Sequence, residues 1–165
     1  PMIAPVLVFA YGNLSRGDDA LGPLLLEYIE DKLDTEHIEL LCDFQLQIEH
    51  ALDIENRRLV LFIDASVACK QAFDLSELQP IKDKSYTTHA MSPASVLQVY
   101  QSIKKQTPPP CFLLSIQGLS FELGEELSAQ AQENLQKAQA FVKNLLSNAE
   151  LEAWLSQCHQ ELELA

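Results

Sequence analysis

Positive charge is scarce in this sequence: 11 Lys and Arg stand against 24 Asp and Glu, for a formal net charge of −13 at pH 7. A surface that negative repels phosphate backbones, which argues against nucleic acid and anionic membrane as partners. Long hydrophobic runs are lacking too, and none approaches the roughly 20 residues that a membrane-spanning helix needs. Cysteine is sparse, with Cys42, Cys69, Cys111 and Cys158 far apart and no Cys-x-x-Cys pair, and no secretory signal is expected ahead of them. We expect reduced thiols in a cytoplasmic protein, and no structural zinc. Glycine is limited to five residues, yet Gly12, Gly17 and Gly22 crowd into one short stretch. Such crowding marks a loop where the backbone turns sharply or packs closely.

What is present is enough for a core. The chain has 165 residues, 47% of them hydrophobic, and is read as one domain over 1–165. Short apolar runs at 6–10, 38–42, 59–64 and 111–116 read as strands, that at 59–64 being the central one. Residues 73–81 alternate weakly and contain Pro80, which predicts an irregular edge strand. Between the strands lie helical patterns. Over 19–33, Leu21, Leu25, Ile29 and Leu33 form one stripe. A helix at 47–55 turns Ile48, Leu52 and Ala51 inward. Ser92-Pro93 starts a helix with Val96, Tyr100 and Ile103 inside, and Ser128 caps a long one with Leu135, Ala138, Val142 and Leu145 inside. The acidic segment 150–165, with Leu151, Trp154, Leu155 and Leu162, reads as a solvated amphipathic helix. Alternation of strands and helices predicts a mostly parallel α/β sheet covered on both faces. Ligands bind such sheets at the carboxyl ends of the strands. This directs attention to 12–22, 64–66 and the loop around His89.

The first of these loops, Gly12-Asn13-Leu14-Ser15-Arg16-Gly17-Asp18-Asp19-Ala20-Leu21-Gly22, is glycine-rich but unsuited to phosphate. It has no Gly-x-Gly-x-x-Gly and no lysine, and two aspartates stand where phosphate would sit. A nucleotide-binding regulator is therefore disfavoured. Either aspartate alone has a plain explanation as a helix-dipole partner. The glycines are expected to bend the exit of the first strand so that Asp18 and Asp19 face the crevice. Asp64 closes the central strand, and a carboxylate there commonly just accepts loop amides. His89 precedes the capped helix, whereas His37 and His50 lie on polar ground and His159 in the terminal helix. Together Asp19, Asp64 and His89 supply two carboxylates and an imidazole, plausible donors for a divalent transition metal with open positions. Ser15, Ser66 and Ser92 occupy no Gly-x-Ser-x-Gly elbow, and a pairing of Cys69 with His89 has nothing to lower the thiol pKa.

Five marks in order carry a resemblance. They are Gly12-Asn13-Leu14 with Asp18-Asp19 and Gly22, then Gln45-Leu46-Gln47-Ile48-Glu49-His50-Ala51. Phe62-Ile63-Asp64-Ala65, Thr88-His89-Ala90-Met91-Ser92-Pro93, and Gln117-Gly118 with Gly124-Glu125-Glu126-Leu127-Ser128 complete the set. In these the chain resembles the maturation endopeptidases of nickel–iron hydrogenases, over residues 6 to about 145. Its His-x-x-Ser-Pro form is similar to members that serve soluble, bidirectional hydrogenases.

The resemblance implies a three-layer α/β/α fold with about five strands, and a cytoplasmic peptidase of the aspartyl type. Such an enzyme removes a C-terminal extension from the hydrogenase large-subunit precursor after nickel insertion. It also implies that Asp19, Asp64 and His89 contact nickel, and carry the chemistry with it, while Gly12, Asn13, Asp18 and Gly22 shape the loop. The nickel belongs to the substrate, so no permanent cofactor is expected. A non-proteolytic chaperone holding the same subunit is the alternative. Ala20 departs from the family's usual glycine, and alanine suits that position if it already lies in helical backbone.

Overall fold

The structure, a computed structural model, describes residues 2–81 and 91–158. Five strands form one sheet: β1 (Val6–Tyr11), β2 (Ile38–Asp43), β3 (Leu59–Ser66), β4 (Phe73–Glu77) and β5 (Cys111–Gln117). Their order is β2-β1-β3-β5-β4, parallel except for β4, which runs antiparallel to β5 at the edge. Only residues 67–72 join β3 to β4, too few for the crossover that a parallel neighbour requires, so the chain returns antiparallel. β3 is central and its Leu59-Val60-Leu61-Phe62-Ile63 run is buried on both faces, as a strand covered by helices should be. It continues to Ser66, so Asp64 lies within the strand rather than at its last position.

One face of the sheet packs Val8, Ala10, Leu61 and Ile63 against α1 (Leu21–Lys32) and α3 (Ala129–Ser147), through Leu25, Ile29, Ala138 and Val142. The other packs Phe9, Val60 and Phe62 against α2 (Pro93–Lys104) and a 3-10 segment, Ile48–Ile54. The result is three layers. The two expected serine caps are present: the Ser92 Oγ accepts from the Ser95 amide and the Ser128 Oγ from the Ala131 amide, both at 3.1 Å.

Three expectations need correction. The segment at 47–55 is 3-10 rather than α-helical: Ala51 and Ile54, one three-residue turn apart, point inward, Leu52 turns outward, and Ile48, the first residue of the segment, is exposed. Ile103 is also exposed. It lies on the buried side of α2 by angle, so its exposure means that the last helical turn overhangs the sheet. Finally, α4 (Leu151–Gln157) is not a solvated helix. Trp154 is fully buried, stacks edge-on against Phe112 at 5.3 Å, and donates its indole N–H to the Leu145 carbonyl at 2.9 Å. A single large aromatic with its polar handle satisfied is enough to dock so short a helix. Leu162 and His159 lie outside the described residues.

Candidate active site

The site is assembled where β1 and β3 end, at the point where the chain's path through the sheet switches direction. Gly12 leaves β1 with φ +149°, and a Cβ there would sit 2.1 Å from the Asp19 carbonyl oxygen. The turn therefore closes only on glycine. The Gly12 amide donates to the Asp43 carbonyl at 3.1 Å, which ties the turn to the end of β2. The loop then folds back on itself: the Asn13 amide donates to Asp19 Oδ2 at 2.9 Å and the Ser15 amide to Asn13 Oδ1 at 2.8 Å. Residues Gly17–Ala20 form a 3-10 turn leading into α1. Ala20 has φ −74° and ψ −10°, helical backbone in which alanine carries no strain. At Gly22 a Cβ would lie 3.0 Å from the Tyr11 carbonyl oxygen and 3.1 Å from that of Ile63. Its absence lets the first turn of α1 rest directly on the ends of β1 and β3. That close approach brings Asp19 toward Asp64.

Asp64 is mostly buried and accepts hydrogen bonds from the Tyr11 hydroxyl and the Ala65 amide. Its pKa is pushed up to about 7, first by burial and then by the negative charge of Asp19; the two hydrogen bonds offset part of this. Tyr11, buried against Asp64, is held well above its ordinary value by that burial and by the Asp64 charge. Asp64 thus takes up and releases a proton near neutral pH, the behaviour expected of a carboxylate that performs acid–base work or meets a cation.

Asp18 turns the other way. It is fully buried and does not face the crevice. Its Oδ2 accepts from the Leu119 amide at 2.7 Å, the Ser120 amide at 3.2 Å and the Ser128 hydroxyl at 2.8 Å, while Oδ1 accepts from the Ser128 amide at 2.8 Å. Burial raises its pKa, but these four bonds together prevail and hold it below the ordinary carboxylate value. Asp18 is a latch between the first loop and the β5–α3 loop. The reason for the divergence is local: adjacent residues in a 3-10 turn point about 120° apart.

His89 lies outside the described residues. After it, the Met91 amide donates to the Leu46 carbonyl at 3.3 Å and Met91 packs on the second core. Among the described residues no group of three His, Cys, Asp or Glu is placed to hold a metal ion. Of the expected nickel contacts, Asp19 lies near enough to Asp64 for its charge to raise the Asp64 pKa.

His50, read from sequence as lying on polar ground, is buried. Its Nδ1 accepts from the Gln47 amide at 2.8 Å, its Nε2 lies 3.2 Å from Asp43 Oδ2, and its ring packs edge-on to Phe9 at 4.7 Å. The signal was the Gln47-x-x-His50 spacing of a capping box, with histidine in the place of the usual glutamate. Tyr11 was also missed, because nothing in the sequence says that the hydroxyl at the end of β1 reaches the carboxylate of β3.

The nucleophile readings gain no support. Among the described residues no serine or cysteine bonds a histidine. The Ser66 Oγ accepts from the Ala68 amide at 3.1 Å, and burial and the Asp74 charge push the Cys69 thiol up, away from a reactive thiolate. A phosphate reading fails too, since the amide of Asp18 donates to the Ser120 carbonyl at 2.8 Å instead of facing a ligand.

No protein-family model matches the sequence, and no curated protein is significantly similar to it. Solved structures do match. The hydrogenase maturating endopeptidase HybD from E. coli has a TM-score of 0.68 at 22% identity, over 87% of this chain and 93% of its own. The [NiFe] hydrogenase maturation protease HycI from Thermococcus kodakarensis KOD1 has a TM-score of 0.66 at 22% identity, over 88% and 94%. An endopeptidase from Escherichia coli has a TM-score of 0.69 at 20% identity, over 87% and 93%. At these TM-scores and coverages, this chain has the fold of the hydrogenase maturation endopeptidases.

Proposed function

We propose that this protein is an endopeptidase that removes the C-terminal extension of a nickel–iron hydrogenase large-subunit precursor once nickel is in place. One observation carries the reading: in this fold, Asp19 and Asp64 converge from the ends of β1 and β3, with Asp64 poised near neutrality. Nickel, as part of the substrate, meets these carboxylates and His89. The substrate's metal then positions the scissile bond in the crevice, and such positioning supplies much of the rate enhancement in hydrolysis of this kind. Chemically, the metal polarises the carbonyl or activates the attacking water, while the carboxylate pair takes up and returns the proton. The rigid loop held by Gly12 and the Asp18 latch keeps Asp19 at fixed geometry for this encounter. Activity in the cytoplasm, on the type of precursor that serves soluble, bidirectional hydrogenases, accords with the His-x-x-Ser-Pro form.

The experiment is to incubate the protein with nickel-loaded and nickel-free precursor and to measure precursor mass. The expected result is shortening of the nickel-loaded form alone. Equal cleavage of both forms removes nickel recognition from the reading, and no cleavage of either removes the peptidase. A chaperone would bind the loaded precursor and leave its mass unchanged.

A further inference from the structure

We propose that the loop-bearing end of the sheet is a docking face for a protein surface that is apolar at its centre and fringed with lysine and arginine. The inference rests on the peptidase reading and concerns how the substrate protein is held over Asp19 and Asp64. Among the described residues, six large apolar side chains stand exposed at this end: Leu14, Phe44, Ile48, Val67, Leu119 and Leu123. Each follows the carboxyl end of a parallel strand: β1 for Leu14, β2 for Phe44 and Ile48, β3 for Val67, and β5 for Leu119 and Leu123. Scattered exposed apolar residues, such as Met2, Ile81, Ile103 and Leu151 here, need no explanation, but six that follow strand ends around one site do.

Backbone hydrogen bonds join the loops into one rim. The Gly124 amide donates to the Ser15 carbonyl at 2.7 Å, setting Leu123 beside the loop of Leu14. The Gly118 amide donates to the Ser66 carbonyl at 3.1 Å, setting Leu119 beside Val67. The Gly12 amide reaches the Asp43 carbonyl at 3.1 Å, next to Phe44. With Asp18 latching the first and last of these loops, the rim is preformed, and little ordering cost opposes docking.

Charge selects the occupant. Among the described residues, the same loops carry Asp43, Glu49, Glu122, Glu125 and Glu126 around the apolar side chains, against Arg16 and Lys70. An acidic fringe favours a basic one on the partner and steers its approach. A second copy of this face would set like charges opposite each other across a two-fold axis, which disfavours self-association.

The test uses the full chain and the nickel-loaded large-subunit precursor. Phe44 and Leu123 are 72% and 73% exposed, so Phe44→Asp and Leu123→Asp leave the core intact. Each is expected to raise KM for the precursor about tenfold or more, with kcat within about twofold of wild type. Ile103→Asp, on the exposed last turn of α2 away from the rim, should change neither. Glu122→Lys combined with Glu126→Lys should raise KM at low salt, with the effect shrinking near about 0.5 M NaCl. Unchanged KM in both aspartate variants overturns the docking face while leaving the peptidase standing. So does a wild-type dimer that Phe44→Asp dissociates, because the face then belongs to a second copy. Wild-type protein that binds the precursor through Phe44 and Leu123 without shortening it supports the face and overturns the peptidase alone. Failure of the wild type to bind or cleave overturns both.

Discussion

Replacing Asp18 by asparagine removes one charge and one acceptor while preserving shape, and so tests whether Asp18 is a latch rather than part of the reacting centre. An asparagine oxygen at the Oδ2 site keeps the Leu119 and Ser120 amides. Its NH2 then faces the Ser128 amide, donor against donor, across the 2.8 Å that Oδ1 now spans. A buried unsatisfied donor costs about 1–3 kcal/mol, and the remaining bonds lose the charge assistance that doubles their strength. We expect a loss of about 4 kcal/mol, a large part of the roughly 5–15 kcal/mol that holds a domain together. For a chain of this size that lowers Tm by about 10 °C. Urea titration followed by fluorescence of the sole tryptophan, the buried Trp154, reads the difference directly. The pH dependence has a definite sign. Because the folded pKa of Asp18 lies below its ordinary 3.8, the stability it confers is complete above that value and is lost as pH falls through the folded pKa. The gap between wild type and Asp18→Asn should be constant from about pH 5 to 8 and narrow as pH falls from 3.8 through the folded pKa of Asp18. A neutral-pH gap under about 1 kcal/mol, or one that does not narrow in acid, would falsify the latch.

Asp64 gives the opposite sign. Its folded pKa of about 7 exceeds the ordinary 3.8, so stability is lost as pH rises between those values. Asp64→Asn should match wild type near pH 3.5 and exceed it near pH 8 by on the order of a few kcal/mol, read from urea midpoints; no gain at pH 8 refutes this. Gly12→Ala forces a Cβ to 2.1 Å from the Asp19 carbonyl oxygen. It should cost about 3 kcal/mol or more and abolish precursor cleavage; wild-type Tm and activity together would contradict the turn geometry. Trp154→Ala should lower stability by about 3–5 kcal/mol, measured by circular dichroism melting, whereas a merely solvated α4 would lose almost nothing.

Much of the fold was legible because its signals are local. The apolar run Leu59–Ile63 declares a strand buried on both faces, and Ser92-Pro93 and Ser128 announce helix starts that need only neighbouring amides. Where the reading failed, the deciding partner was distant in sequence. Trp154 is exposed or buried according to whether Phe112 and the Leu145 carbonyl are there to receive it. Ile103 has the right helical phase but no sheet beneath it, and phase alone cannot report where a strand ends. The segment at 47–55 carried a helical spacing that three-residue turns overrode.

The candidate site divides the same way. Sequence by itself determined that one loop is special, because glycine crowding at positions 12, 17 and 22 and the absence of a lysine concern local backbone and composition. It also singled out Asp19 and Asp64 as carboxylates that follow strands. Only the tertiary structure decided that Asp18 and Asp19, neighbours in the chain, part company, one to bind amides more than 100 residues away and the other to approach Asp64. Likewise only the burial of Asp64 in the folded chain and, after it, the charge of Asp19 beside it move its pKa up to about 7, against the opposing hydrogen bonds. Side-chain direction and dielectric are set by what packs around a residue, and a linear string contains neither.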